Sequence, residues 1–306
     1  MQGMQKQEQK ENHMKNIARE LYEDYLHSRK QLPDLENITP PLINVDDVLR
    51  AHYLISDYFS KTEEGILCGV RSPDLLYSAV SRQIVGTGND MKYSNPLDIC
   101  ATLFFGLVKN HAFHDGNKRT ALLILLYQLT LYGRMVKCKA SKIERLTLDV
   151  ASTNFQDPEY RDLWDPQRYA CSKELKEKNT DNAVRIISEF LRKNTEKRTF
   201  RYRSVTYKEL ISALERYGYI VETGNGSLQV YKMTKNIWGK PKKVLRAASS
   251  FHGENREVRP KRLRKLMDDL GLSEEYPNYN DFFSGDEPMS KLIAVYEGPL
   301  KRLKDK

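Results

Sequence analysis

The stretch DICATLFFGLVKNHAFHDGNKRTALLILLYQLTL, residues 98–131, decides the fold. From Asp98 to Lys109 it is apolar nearly all round, through Ile99, Cys100, Leu103, Phe104, Phe105, Leu107 and Val108. Thr120 to Leu131 is the same. A helix apolar on every side is buried, and two of them about ten residues apart form the centre of an all-α core. The loop between them holds His111, Phe113, His114, Asp115, Gly116, Asn117, Lys118 and Arg119. Polar residues in such a setting need a chemical reason. Gly116 and Asn117 tolerate tight left-handed turns. Amides turned there, feeding the next helix, make a nest of N–H donors for an anion. Lys118 and Arg119 add positive charge where a phosphate would sit. Asp115 suits Mg²⁺, which binds through few carboxylates plus phosphate oxygens. His111 is placed to take a proton from a hydroxyl near neutral pH. Phe113 points inward as the loop's anchor. Together these parts describe phosphoryl or nucleotidyl transfer.

The loop resembles the Fic/Doc (Fido) family motif H-x-F-x-[DE]-G-N-x-R, with all six fixed positions matched between His111 and Arg119. The resemblance covers roughly residues 45–195. It includes Gly65 to Leu76, which looks like the G-I-R-D-x-x-L-L element of death-on-curing proteins. It implies a helical Fic core and transfer of AMP, or in Doc a phosphate, from an NTP to a protein hydroxyl. It makes His111 the general base and Asp115 the Mg²⁺ ligand. Gly116, Asn117 and Lys118 become the anion hole, Arg119 a phosphate contact, and residues 82–94 a flap that aligns the target. AMP-transferring members usually carry Gly after the Asn and a second Arg three residues past the first. Here those positions are Lys118 and Leu122, the Doc pattern, which favours phosphorylation. His114 fills a variable position and is read as a surface residue. The resemblance implies a toxin or related regulator, with ATP as co-substrate. Its partners are a target protein, such as one of the translation machinery, and an antitoxin.

Outward from this core the pattern stays helical as far as Arg198. Met14 to Arg29 has helical spacing, and Pro33, Pro40 and Pro41 mark 30–44 as a linker. Helices are expected from Asp46 to Phe59 and from Ser72-Pro73, where Ser72 is an N-cap. Gly86-Thr-Gly-Asn-Asp90 is a turn or flap. Further helices are expected at 141–152 and 182–192, with 157–180 as an insertion or mobile loop.

The C-terminal third differs. Ser204 to Tyr217 reads as a helix and Tyr219 to Glu222 as a strand. Gly224-Asn-Gly-Ser is a hairpin signal, and 228–233 and 244–251 are return strands. Residues 259–270 form a basic amphipathic helix. The order α-β-β-β-α suggests a small α+β domain, so the expected organisation is an arm and linker (1–44), a Fic/Doc core (45–198) and a basic domain (199–306). Residues 204–272 resemble a HicA-type toxin of double-stranded-RNA-binding-like fold. Leu228 stands where that family has its catalytic histidine, so RNA cleavage is not expected. The net charge of +9 is concentrated here: residues 232–265 hold 12 Lys and Arg against Glu254 and Glu257. Lys232, Lys235, Lys240, Lys242, Lys243, Arg246, Arg262 and Lys265 form a candidate RNA- or DNA-binding face. A nucleic-acid-binding regulator is therefore the alternative to a transferase.

At 40% hydrophobic and 30% charged, the chain is neither disordered nor membrane-embedded. Ala121 to Leu131 is too short and too interrupted to span a bilayer. No apolar stretch near Met1 suggests a signal peptide. Cys68, Cys100, Cys138 and Cys171 lie far apart, which argues against a zinc module and fits a reducing cytoplasm.

Overall fold

The computed structural model describes residues 14, 16–36, 38, 41–61, 67–87, 90–155, 173–197, 204–235, 239–273, 276, 279–284 and 287–304. They fall into two compact units. Asn12–Arg198 with Met289–Lys306 is helical, and Thr199–Pro288 is α+β. The expected mainly helical fold with a small β-containing domain is borne out.

In the helical unit, α1 (Arg19–Gln31) packs on α2 (Val45–Ser60). A capping box starts α2: Asn44 accepts from Val45 N–H, and Asp47 accepts from Asn44 N–H at 3.0 Å. Next come α3 (Pro73–Ser81) and a short hairpin of β1 (Gly86–Thr87) and β2 (Asp90–Met91). A Cβ on Gly86 would lie 2.4 Å from the Asp90 carbonyl, so this hairpin tolerates no side chain there. The centre is α4 (Pro96–Lys109) and α5 (Asn117–Leu131), both buried on nearly every side. Around them lie β3 (Arg134–Val136), α6 (Ala140–Ser152), α7 (Lys173–Asn194) and β4 (Thr195–Lys197), with β3 antiparallel to β4. The expected loop 157–180 is helical from Lys173 on; its earlier residues lie outside the described ones.

In the second unit, α8 (Tyr207–Arg216) precedes β5 (Ile220–Gly224), β6 (Ser227–Lys235) and β7 (Pro241–Ser250), and α9 (Pro260–Asp269) follows. The sheet is antiparallel in the order β5-β6-β7. Asn225 and Gly226, both at positive φ, make the two-residue turn between β5 and β6. Leu228, Val230 and Ala247 bury one sheet face in a core shared with Leu210, Leu214, Leu263 and Met267. The chain continues through α10 (Tyr279–Ser284), α11 (Pro288–Val295) and α12 (Glu297–Arg302).

Two expected boundaries are corrected. Residues 30–44 are not a linker, because Leu32, Leu35 and Ile43 are buried in the helical core. The basic domain does not reach residue 306. Met289, Ile293, Leu300 and Leu303 are buried with the helical unit, and Arg302 forks onto Glu144 at 2.6–3.0 Å. Apolar burial draws both segments in.

Gln83, 1% exposed, holds the Ile43 backbone in place. It accepts from Ile43 N–H (3.0 Å) and the Gln128 amide (2.8 Å), and donates to the Ile43 (2.9 Å) and Val80 (3.0 Å) carbonyls. Gln83→Leu leaves the Ile43 amide and carbonyl unmet and should cost about 2–4 kcal/mol. Urea denaturation followed by circular dichroism measures it.

Candidate active site

The loop from His111 to Gly116 is held from one side by Gly69 to Ser72. Val70 pairs antiparallel with Phe113. Arg71 and Ser72 N–H donate to the Ala112 carbonyl at 2.8 and 3.0 Å, and His114 N–H donates to the Gly69 carbonyl at 3.2 Å. Gly69 sits at φ +111°, a conformation that glycine alone adopts easily. His111 lies exposed at the loop's mouth, also in the left-handed region at φ +48°. For a non-glycine residue this conformation is strained. The Arg71 guanidinium donates to the His111 carbonyl at 2.6 Å and holds it there.

Phe113 is 2% exposed and stacks on the His52 ring, with centroids 3.9 Å apart and planes 13° apart. The Asn117 side chain imitates a strand partner. It accepts from Phe113 N–H at 2.9 Å and donates to the Phe113 carbonyl at 3.0 Å. That ties the loop into a ring. Gly116, at φ +74°, turns the chain into α5 without a side-chain cap. Asn117, Lys118 and Arg119 form the first turn of α5, at the end of the helix dipole that favours negative charge. Asp115 accepts from Gly116 N–H at 2.5 Å. Lys118 is half-buried on the first turn of α5.

Arg119 is a correction. It is fully buried, 4.6 Å above the Phe59 ring. Its Nε donates to the Leu300 carbonyl at 2.8 Å and an Nη to the Lys301 carbonyl at 3.2 Å. The guanidinium thus satisfies carbonyls at the end of α12, where cations are favoured. The expected phosphate contact is unavailable from Arg119 in this arrangement, because the burial of the C-terminal segment has claimed the side chain.

On the flap, Val85 and Met91 are exposed. Its base is anchored by Lys92 to Asp181 (2.6 Å) and by Tyr93 Oη to the same carboxylate (3.3 Å). A cavity of about 290 Å³ lies beside it, lined by Arg82, Val85, Lys92, Tyr93, Thr102, Thr180 and Asp181. Among the described residues no three His, Cys, Asp or Glu side chains gather as a metal cluster. Nor is any described helix long and apolar enough to cross a membrane.

The candidate nucleic-acid face is dispersed. Lys232 is buried, with Nζ 5.1 Å above the Tyr219 ring. Lys243 pairs with Glu222 and lies 4.1 Å above the Tyr231 ring. Arg262 bonds His252 Nε2 at 2.8 Å. Lys240 and Lys242 are exposed near the start of β7, Arg246 is half-buried and Lys265 is exposed on α9. The Lys235 side chain lies outside the described residues. The pleat puts Lys243 on the sheet face opposite Lys232 and Lys242. Leu228 is wholly buried, so that position is part of the core.

Inspection of the sequence did not single out His52 and Arg71. Arg71 lies within the Gly65–Leu76 element but carried no role of its own there, and the partners of His52 lie 16 to 68 positions away.

Two outcomes follow for this site. Arg119→Ala removes donors from two carbonyls and should cost about 2–4 kcal/mol. It should also speed hydrogen exchange in residues 297–303. Unchanged exchange there would mean that the arginine does not hold α12. The second concerns acid. Burial, and then the neighbouring charge of His114, lower the His52 pKa from 6.5 to about 3. Between those values the unfolded chain binds the extra proton. Stability is therefore full above about pH 6.5 and falls on acidification toward pH 3, by up to about 1.4 kcal/mol per pH unit. Denaturation at several pH values should show a shallower slope in His52→Gln than in the wild type.

Residues 9–129 match the family model described as Fic/DOC family. No curated protein and no solved structure matches the chain. The matched stretch begins ahead of α1 and ends within α5. It takes in the whole His111–Arg119 loop and the ladder that holds it, and that stretch of the chain is similar to a Fic/DOC-family domain.

Proposed function

We propose that the helical unit is an ATP-dependent transferase that modifies a hydroxyl of a target protein, by phosphorylation rather than AMP transfer. The observation that carries this is the exposed, strained His111 on the loop that leads, through Asp115 and the left-handed Gly116, to the N-terminus of α5. His111 would accept the hydroxyl proton as the oxygen attacks the γ-phosphorus. A new P–O bond forms, the bond to the β-phosphate oxygen breaks, and ADP leaves. The imidazolium then releases its proton to solvent. The α5 amides, with Lys118, would receive the charge that develops on phosphate oxygens. One carboxylate beside nucleotide phosphates is a donor set that fits Mg²⁺, so Asp115 would hold the ion, which supplies charge neutralisation.

Leu122 supports phosphorylation. It is wholly buried and puts no second arginine three residues past Arg119. The exposed apolar residues of the flap support a protein target, since an extended segment can lie along such a hairpin. A toxin role with an antitoxin belongs to the same proposal and rests on the resemblance alone.

Incubation of lysate with the protein and ATP labelled at the γ- or α-phosphate tests this. Label from the γ position alone is expected, and label from the α position would mean AMP transfer. His111→Ala should lower the rate by about two to four orders of magnitude while leaving the fold intact. Activity retained in a folded His111→Ala protein would sink the assignment.

A further inference from the structure

The pattern of donors around His52 assigns its ring. Gly69 N–H lies 3.2 Å from His52 Nε2, and a backbone amide can only donate, so Nε2 carries the lone pair. The proton is then on Nδ1, which donates to Thr120 Oγ1 at 3.2 Å. Cys68 Sγ stands 3.6 Å from the same Nε2. Burial pushes that thiol up to about 11, so it stays protonated and can also donate. The ring face lies flat on Phe113, and its Cε1–Nδ1 edge lies beneath Gly116, where a Cβ would be 3.8–3.9 Å away. The His52 ring is itself 1% exposed and sits mid-helix on α2.

One side chain thus meets four parts of the loop's surroundings: the ladder residue Gly69, the anchor Phe113, the turn at Gly116 and the first turn of α5 at Thr120. We propose that His52 is a positioning residue for the candidate active site. Its Nδ1–H tautomer locks the 69–72 ladder to α5 and so sets the separation between His111 and the α5 N-terminus. The ladder ends at Arg71, which holds the strained His111 carbonyl. A shift at Gly69 therefore reaches His111 within two residues. A neutral ring is required for this double role, since an imidazolium would present a donor at Nε2 against the Gly69 donor. Burial in the α2–α5 interface supplies that neutrality. A phenylalanine here could keep the stack but would leave the Gly69 amide and the Thr120 hydroxyl without the ring's bonds.

The effect on catalysis rests on the transferase reading, whereas the ring assignment and the locking do not, so the test has two arms. The first uses the full chain without nucleotide. Nitrogen-15 spectra of the wild type at neutral pH should show His52 as the neutral Nδ1–H tautomer. In His52→Phe the amides of residues 112–117 should exchange at least about tenfold faster, while those of 207–216 in the other unit stay unchanged. An Nε2–H tautomer, or unchanged loop exchange, overturns the proposal. The second arm measures label transfer. His52→Phe should lower kcat by about 10–100-fold with KM for ATP within about threefold, as a displaced general base requires. His52→Gln, whose amide oxygen can take the Gly69 N–H, should recover more of kcat than His52→Asn, which has no acceptor at the Nε2 position. A His52→Phe protein with wild-type kcat overturns the proposal, as does a loss confined to KM. A wild-type protein that transfers no label overturns the transferase reading instead, and the first arm then decides the role of His52.

Discussion

A helix buried on all sides has to resolve its polar groups at its ends, and α5 imposes that condition on everything around it. From Asn117 to Leu129 almost every residue is out of water. Its first-turn residues follow directly on the loop from His111 to Gly116. Each polar residue beside them is settled by a specific partner. Gly116 takes the left-handed turn, Asn117 folds back on Phe113, and Arg119 runs inward to the Leu300 and Lys301 carbonyls. A buried guanidinium without such partners would be strongly destabilising, so the C-terminal segment and α5 stabilise each other. That coupling explains why residues 289–306 leave the neighbouring domain and join the helical core.

The same condition concentrates strain where chemistry is expected. A histidine at φ +48° costs on the order of 1–3 kcal/mol, which the surroundings must offset. They do so with a short ladder from Gly69 to Ser72, a charged hydrogen bond from Arg71, and the buried His52–Phe113 stack. The loop's shape is therefore a property of three segments distant in sequence, around residue 52, residues 69–72 and the loop itself. The flap differs. It hangs on a two-residue pairing and a half-exposed ion pair between Lys92 and Asp181, so it belongs to the less stable part of the unit.

Much of this was legible without coordinates. Periodicity located α2, α4, α5 and α6 to within a few residues, because burial of an apolar face is a local pattern repeated along the chain. Asn225-Gly226 announced its hairpin because both positions need positive φ. The linker at 30–44 was misread because prolines mark irregular backbone but do not say whether it is buried; Leu35 and Ile43 are, and Gln83 bonds the Ile43 backbone. The basic stretch of the second unit is legible as charge but not as placement. Lys232 lies against Tyr219 and Lys243 against Glu222, since the pleat alternates faces and charge counts do not.

By itself the sequence determined the helical class, the centre of the core, the loop from His111 to Arg119 and the chemistry those residue types can perform. It did so because residue type and local spacing carry that information. Only the tertiary structure decided which groups the loop keeps for a ligand. Arg119 is withdrawn into the core, Asn117 is spent on the loop's own backbone, and His52 and Arg71 are brought in from elsewhere. These outcomes depend on hydrogen bonds between residues 40, 68 and 181 positions apart, and such pairings are set by packing rather than by any pattern local to the chain.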